Sequence, residues 1–187
     1  MFNDTIVAQA TPQGLGGVSI VRVSGPKAID IGKRLTGTNK TPKTKTPTLR
    51  SVYSRQNNKI DQALVTFFEA PYSYTGEDII EIACHGNPLI VQEIIKTACK
   101  NGARSPNPGE FTMRSFINGK MDLIQAEAVA SLIGSKSLTA ANISNKILSG
   151  SLSTAIKGIK KDLILLVTGI EYEIDISEEP TPKKTTS

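Results

Sequence analysis

The segment NPGEFTMRSFINGKMDLIQAEAVASLI, Asn107 to Ile133, predicts two helices joined by a tight turn. Pro108 is typical of a first helical position, Gly119 of a left-handed helix end, and Asp122 of the start of the second helix. Lys120 therefore lies in the joint, where a cation is poorly placed for the dipole of the helix that follows. We interpret it either as an ordinary solvated lysine, which the local sequence favours, or as a ligand contact.

Hydrophobic alternation predicts two strands that each carry one charge among apolar side chains. In the strand from Val18 to Ser24 this charge is Arg22, and in the strand from Ile79 to Cys84 it is Glu81. Because an unpaired charge in such a setting is costly, each of the two needs a partner. A bound ligand and a structural ion pair both remain open as explanations.

Short strands and helices are predicted in the rest of the N-terminal part. The loop from Thr36 to Thr48 is mainly Thr, Lys and Pro without an acid, and we interpret it as a solvated loop in preference to a phosphate-binding one. The regular elements are an opening strand from Thr5, a helix from Pro26 to Leu35, a hairpin of Leu49 to Arg55 with Ile60 to Phe68, and a helix from Asn87 to Asn101.

His85, the only histidine, directly follows Cys84. Adjacent side chains of a strand point to opposite faces, so this spacing argues against a Cys–His catalytic dyad. We interpret His85 as a turn or cap residue. Cys84 and Cys99 have neither a metal-binding nor a disulfide spacing, and two buried thiols fit a reducing compartment.

The composition is that of a globular protein, with 187 residues of which 39% are hydrophobic. The net charge of +5, from 22 basic and 17 acidic residues, is too mild an excess to identify a partner. Because there is neither an apolar run of membrane-spanning length nor a signal peptide pattern at the N-terminus, we expect a cytoplasmic protein without a membrane partner.

From Ser137 to about Ile176, apolar residues recur every three or four positions, which predicts one long helix with an apolar stripe. The predicted helix that ends at Gly134 is too short to cover this stripe, so other helices or a second copy of the chain must do so. Pro180 and Pro182 then predict a polar tail.

Three separate motifs occur in a fixed order along the chain. They are Thr11-Pro12 with Gly14, Gly16 to Val18, Ile20 to Arg22 and Ser24 to Pro26; Tyr74 to Asp78 with Glu81 and His85-Gly86; and Pro108 to Thr112 with Asn118 to Lys120, Asp122-Leu123 and Gln125 to Ala128. Together they resemble one family, the tRNA modification GTPases called MnmE or TrmE. The resemblance runs from Asp4 to about Glu179.

This resemblance implies an α+β fold. Residues 1–118 would form a small mixed-sheet, folate-binding and dimerisation domain, similar to the tetrahydrofolate-binding part of glycine-cleavage T-proteins. Residues 119–180 would begin a split helical bundle with long helices, and residues 181–187 would form the polar tail. The GTPase domain and the C-terminal part of the family are expected to be absent. No stretch has the P-loop pattern, so this chain alone is not expected to hydrolyse GTP.

The resemblance also implies a ligand site formed by Arg22, Glu81 and Lys120, which stand at the family's folate-contacting positions. The cofactor would be 5-formyltetrahydrofolate or a related tetrahydrofolate, and the full-length family also uses GTP, magnesium and potassium. The implied partners are a second copy of the chain, the flavoprotein MnmG, also called GidA, and tRNA through the full complex. Asn87 stands where the family usually has a second glycine, so the backbone conformation that the family has after Glu81 does not carry over directly.

The predicted function is the folate-binding and dimerisation portion of an enzyme that modifies the tRNA wobble uridine, U34, with a one-carbon unit from the folate. The alternative is a free-standing folate-binding or scaffold module without catalytic activity. A folate-dependent transferase is a weaker third option. Coding sequence beyond Ser187 would distinguish them, because a GTPase domain there favours the first.

Overall fold

The computed structural model describes residues 2–40 and 43–178, and the chain divides into two compact units between Asp122 and Leu123. Pro42, in the predicted solvated loop from Thr36 to Thr48, lies outside the described residues. Pro180 and the predicted polar tail at 181–187, which includes Pro182, also lie outside them. Within the described ranges the chain is mixed, with one six-stranded sheet and six helices.

The sheet of the first unit has the strand order β3-β4-β5-β2-β1-β6. Neighbouring strands are antiparallel except for β1 and β6, which pair in parallel. The predicted hairpin is confirmed, since Leu49 pairs with Leu64. The strands are β1 (Thr5–Gln9), β2 (Gly16–Ser24), β3 (Thr48–Tyr53), β4 (Lys59–Phe68), β5 (Ile79–Gly86) and β6 (Ala103–Arg104).

Three helices complete the first unit: α1 (Ala28–Thr36), α2 (Pro88–Lys100) and α3 (Glu110–Ile117). Asn87 caps α2, because its side-chain oxygen accepts the Leu89 N–H at 2.9 Å. The prediction that Pro108 opens α3 is wrong by two residues. Gly109 has a φ of 72°, a left-handed conformation that cannot continue a helix, so α3 begins after it.

The hydrophobic core lies on the face of the sheet that α1 and α2 cover. Alternation along β2 and β5 sends one set of side chains into this core and leaves Arg22 and Glu81 on the other face. Burying this apolar set at about 25 cal/mol per Å² is the main stabilising contribution to the unit. The buried set includes Val21, Val23, Ile31, Leu35, Ile80, Ile82, Val91 and Ile94.

The second unit consists of α4 (Leu123–Ile133), α5 (Leu138–Leu148) and α6 (Ser151–Glu178). The prediction of one long helix from Ser137 is wrong, because the chain breaks between α5 and α6. Gly150 has a φ of 88°, and Ser149 ends α5, so a left-handed glycine between two serines interrupts the helical hydrogen bonds.

Apolar side chains of α6 are exposed over most of its length, with Leu163 56% and Leu166 63% accessible. Exposure extends beyond the predicted stripe to Ile164 and Leu165, so α6 needs cover on more than one side. Despite this apolar surface, none of the helices in the described part of the chain is long and apolar enough to cross a membrane.

Candidate functional site

Arg22 and Glu81 face each other across neighbouring strands, because β2 pairs with β5 in the register that places them opposite. The Nε atom of Arg22 donates to Oε1 of Glu81 at 2.8 Å, and its Nη2 atom forms an ion-pair contact with the same oxygen at 2.7 Å. Their side chains keep 24% and 23% of their accessible surface. The two sequence-predicted residues are thus brought together as an ion pair that remains open to solvent on one side.

Two aromatic rings lie over the guanidinium of Arg22. Its Cζ atom is 5.2 Å from the ring centroid of Tyr74 and 5.7 Å from that of Phe111, within range of a cation–π interaction. The Tyr74 hydroxyl and Thr112 Oγ1 are hydrogen-bonded at 2.9 Å. The loop before β5 and the helix α3 therefore meet above the Arg22–Glu81 pair.

Lys120 is exposed and lies just after α3, where its N–H donates to the Ser115 carbonyl at 2.9 Å. Its aliphatic stem packs beside Gly76, so that a Cβ added there would lie 3.2 Å from Cγ of Lys120. Gly76 also has a φ of 78°, which favours glycine. Lys120 is thereby placed next to the loop that carries Tyr74, and within the described residues no hydrogen bond or ion pair joins it to Arg22 or Glu81.

A buried ion network, which the sequence reasoning did not find, lies beside this loop. Arg114 is fully buried and contacts three carboxylates: Glu110 at 2.8 Å, Glu77 at 3.1 Å and Asp4 at 2.8 Å. Glu110 and Arg114 have the i,i+4 spacing of a helical ion pair, which was the available sequence signal. Their burial depends on Asp4 and Glu77, which are distant in sequence.

Arg104 extends the network through a bidentate ion pair with Glu110. Its Nη2 and Nη1 atoms donate to Oε1 and Oε2 of Glu110 at 2.6 and 2.8 Å, and its Nε atom donates to Asp4 at 2.6 Å. The hydrogen bonds from Arg104 are the largest influence on Glu110 and, against the opposing effect of burial, lower its pKa to about 2. Glu110 is therefore a carboxylate throughout the neutral range.

The network holds the loop that carries Tyr74. Glu77 accepts a hydrogen bond from the Ser24 hydroxyl at 2.8 Å, and Ser24 is also bonded to Thr75 at 2.7 Å. Arg114 binds the same glutamate, so the end of β2, this loop and α3 are joined through one buried carboxylate. The positions of Tyr74 and Gly76 follow from these contacts.

His85 has a different partner from the one its sequence neighbour suggests. Its ring Nδ1 atom lies 2.8 Å from Oδ1 of Asp61, and its main-chain N–H donates to Oδ2 of Asp61 at 2.9 Å. Burial acts to raise the pKa of Asp61, but these contacts outweigh it and lower the pKa. The Cys84 thiol points to the core and donates to the Ser19 carbonyl, so a Cys–His dyad is excluded.

The structure differs in part from the sequence predictions for His85 and for the two cysteines. His85 lies near the end of β5, where its side chain binds Asp61 and its carbonyl accepts the Asn87 N–H at 2.8 Å, so it takes part in the turn that leads to α2 but does not cap the helix. Of the two thiols expected to be buried, only Cys84 is, and Cys99 is partly exposed. Cys99 lies near the end of α2 and packs against the edge of the core.

Two family models together match nearly the whole chain. The one described as "GTP-binding protein TrmE N-terminus" matches residues 5–120, and the one described as "MnmE helical domain" matches residues 123–187. The two matches adjoin at the same place as the two compact units.

Curated relatives carry the name tRNA modification GTPase MnmE. The protein of Legionella pneumophila (strain Paris) is 49% identical over 179 residues, and that of Aliarcobacter butzleri (strain RM4018) is 42% identical over 180 residues; each alignment covers 96% of this chain and 40% of the relative. The Francisella philomiragia subsp. philomiragia protein is 49% identical over 176 residues, covering 94% of this chain and 38% of the relative. The chain thus spans about two fifths of the length of these relatives, and by its two family matches it belongs to the MnmE, or TrmE, family of tRNA modification GTPases.

Proposed function

We propose that the first unit binds a reduced, formylated folate at Arg22, Glu81 and Lys120. The observation that supports this most directly is the Arg22–Glu81 pair, whose side chains keep 24% and 23% of their accessible surface and in which Arg22 lies beneath two aromatic rings. A purely structural ion pair in a sheet does not need exposed polar edges or an aromatic cover. A pterin ring needs both, because it carries hydrogen-bonding edges and flat faces.

Each residue has a distinct role in this proposal. Glu81 accepts hydrogen bonds from adjacent N–H donors of the pterin, and its Oε2 atom is available because Arg22 uses Oε1. Arg22 donates to the ring carbonyl or the formyl oxygen, and Lys120 attracts the anionic glutamate tail. The folate, when bound, supplies a one-carbon unit.

The fold of the first unit supports the same proposal. A six-stranded mixed sheet with α1 and α2 packed on its core face suits the tetrahydrofolate-binding architecture of glycine-cleavage T-proteins, which we propose for residues 1–118. Residues 119–180 would then begin the helical domain. We propose that the whole protein adds a GTPase domain using GTP, magnesium and potassium, acts with the flavoprotein MnmG on the wobble uridine of tRNA, and works in the cytoplasm.

Replacing Glu81 tests the folate site. Glu81→Gln keeps the side-chain shape but puts an amide donor against a pterin donor, so affinity for 5-formyltetrahydrofolate is expected to fall about tenfold to a hundredfold. Lys120→Ala removes an exposed cation, so we expect a smaller loss that shrinks as salt is added. Isothermal titration calorimetry on the parent and both variants measures this order.

Glu93→Gln is the matched control, because it makes the same chemical change at a partly exposed position on α2, where Glu93 pairs with Lys96 and does not contact Arg22. It is expected to bind folate like the parent. If Glu81→Gln also binds like the parent, the proposed site is wrong and Glu81 serves only as the structural partner of Arg22.

We also propose that the chain forms a homodimer in which a second copy covers part of the exposed apolar surface of α6. A few hundred square ångströms of such surface is worth several kcal/mol at about 25 cal/mol per Å². Light scattering at micromolar concentration is expected to give about 40 kDa, twice the 20.0 kDa of one chain.

Leu163→Glu places a charge within this apolar surface and is expected to shift the mass toward that of the monomer. Thr168→Glu adds the same charge at a polar position of α6 and should leave the mass unchanged. A monomeric parent would contradict the dimer proposal.

A further inference from the structure

We propose that the first unit has a second ligand site, a cavity along the free edge of β1 that accepts a neutral nucleobase. The cavity has a volume of about 610 Å³, which is within the range of small-molecule sites. It lies between β1, the first turns of α2 and the segments that follow β1 and β6. Arg22, Glu81 and Lys120 do not line it, so it is separate from the proposed folate site.

None of the described residues that line this cavity has an ionisable side chain. Its polar groups are side-chain amides and hydroxyls, and its apolar surfaces come from α2 and β1. A charged ligand group would lose its hydration here without gaining a counter-charge, so the enclosed part of the ligand must be neutral. The amides and hydroxyls belong to Gln9, Gln13, Gln92, Thr11 and Ser105, and the apolar surfaces to Val7, Val91 and Ile95.

The main chain of Gln9 provides a donor and an acceptor side by side at this edge. In an antiparallel pair, alternate residues direct their main-chain groups to the partner strand, and the Ala10 N–H donates to the Ile20 carbonyl of β2 at 2.7 Å. Gln9 is out of phase with Ala10, so its N–H and C=O point away from β2. On that side the described register of β6 pairs it with Thr5 and Ile6, which ends three residues before Gln9.

The Gln9 side chain is fixed in place beside these main-chain groups. Its Nε2 atom donates to the Pro12 carbonyl at 2.9 Å and to the hydroxyls of Thr11 and Ser19, each at 3.3 Å. These bonds all use the amide nitrogen, so the amide oxygen is the atom that can meet an incoming N–H. The edge of the cavity thus has one donor and two acceptors held in place before any ligand arrives.

A lactam, in which a ring N–H adjoins a C=O, is complementary to a neighbouring acceptor and donor. Uracil, guanine and pterins all have this edge. A folate also carries an anionic glutamate tail, for which the uncharged lining offers no partner, whereas a base carries no charge on its ring. The cavity therefore favours a base over a folate, and uridine is the simplest probe.

Nuclear magnetic resonance on the ¹⁵N-labelled 187-residue chain tests the site. Addition of uridine is expected to change the chemical shift of the Gln9 main-chain amide until the site is saturated, with a dissociation constant on the order of 1 mM. N3-methyluridine lacks the ring N–H and should bind at least about tenfold more weakly. Gln92→Trp fills the cavity from an exposed position of α2 and should abolish the shift, while Lys96→Trp, on the same helix but outside the lining, should keep it.

Three results would overturn the proposal. They are equal binding of uridine and N3-methyluridine, unchanged binding by Gln92→Trp, and saturable shifts at Gln9 with 5-formyltetrahydrofolate in place of uridine. The folate calorimetry with Glu81→Gln gives its answer independently, so a failure of one site is distinguishable from a failure of the other.

Discussion

Replacing Arg114 with leucine is expected to lower the free energy of unfolding by about 3–5 kcal/mol. The side chain is fully buried, and its removal leaves Glu77 and Glu110 as enclosed carboxylates that have lost a cation. Breaking one side of a buried ion pair costs far more than the pair contributes, because the remaining charge has no water to solvate it. Urea unfolding followed by circular dichroism measures the change.

Arg34→Leu provides the matched control, since Arg34 is an exposed arginine in the helix α1. A surface substitution of this kind is expected to change stability by no more than about 0.5 kcal/mol. If Arg114→Leu changes the free energy of unfolding as little as Arg34→Leu does, the buried carboxylates do not depend on Arg114 and the network is contradicted.

Acid is expected to destabilise the first unit through Glu110. Its pKa is lowered from 4.5 in the unfolded chain to about 2 in the folded protein. A lowered carboxyl pKa contributes stability that is fully present above pH 4.5 and is lost as the pH falls toward 2. The contribution is about 3 kcal/mol. Burial acts to raise the pKa of Asp4, but Arg104 and Arg114 lower it overall, so Asp4 adds to the loss with the same sign.

The free energy of unfolding of the parent and of Glu110→Gln, measured from pH 6 to pH 2, isolates this contribution. Glu110→Gln should be much less stable than the parent at pH 6, and the difference should narrow by about 3 kcal/mol as the pH approaches 2. Glu93→Gln should follow the parent at every pH, because Glu93 lies on the surface of α2. A constant difference between the parent and Glu110→Gln would contradict the role of Glu110.

The strands that carry Arg22 and Glu81 were predictable because alternation with a period of two is a local property of the sequence. Whether the two side chains bind each other was not predictable in this way. That depends on the register between β2 and β5, which brings together residues 59 positions apart. The sequence reasoning left the ion pair and the ligand contact open for this physical reason.

The buried ion network was beyond sequence reasoning for a related reason. Arg114 binds Asp4 across 110 positions of sequence, and nothing near either residue indicates that the other will arrive. Arg104 and Arg114 differ in exposure although both look like ordinary surface arginines in the sequence. Charged residues are rarely buried, so the prior expectation pointed the wrong way.

The break at Gly150 had a local signal that the apolar spacing concealed. Apolar residues recur at helical intervals on both sides of it, so a period-based reading continues through the interruption. The Ser149-Gly150-Ser151 run was the contrary signal, since both residue types favour helix ends. The tertiary position of Lys120 beside Gly76 had no such signal, because it depends on the loop before β5.

The ion pair between Asp4 and Arg104 has a consequence for the order in which the protein is made. Arg104 leaves the ribosome 100 residues after Asp4, which is about 5–20 s at ordinary rates of elongation. Throughout this interval β6 is not available to pair with β1, and the Asp4 carboxylate lacks its partner Arg104. The nascent first unit therefore remains open to chaperones and proteases until its last helix emerges, and its folding in the cell is completed by the C-terminal end of the unit.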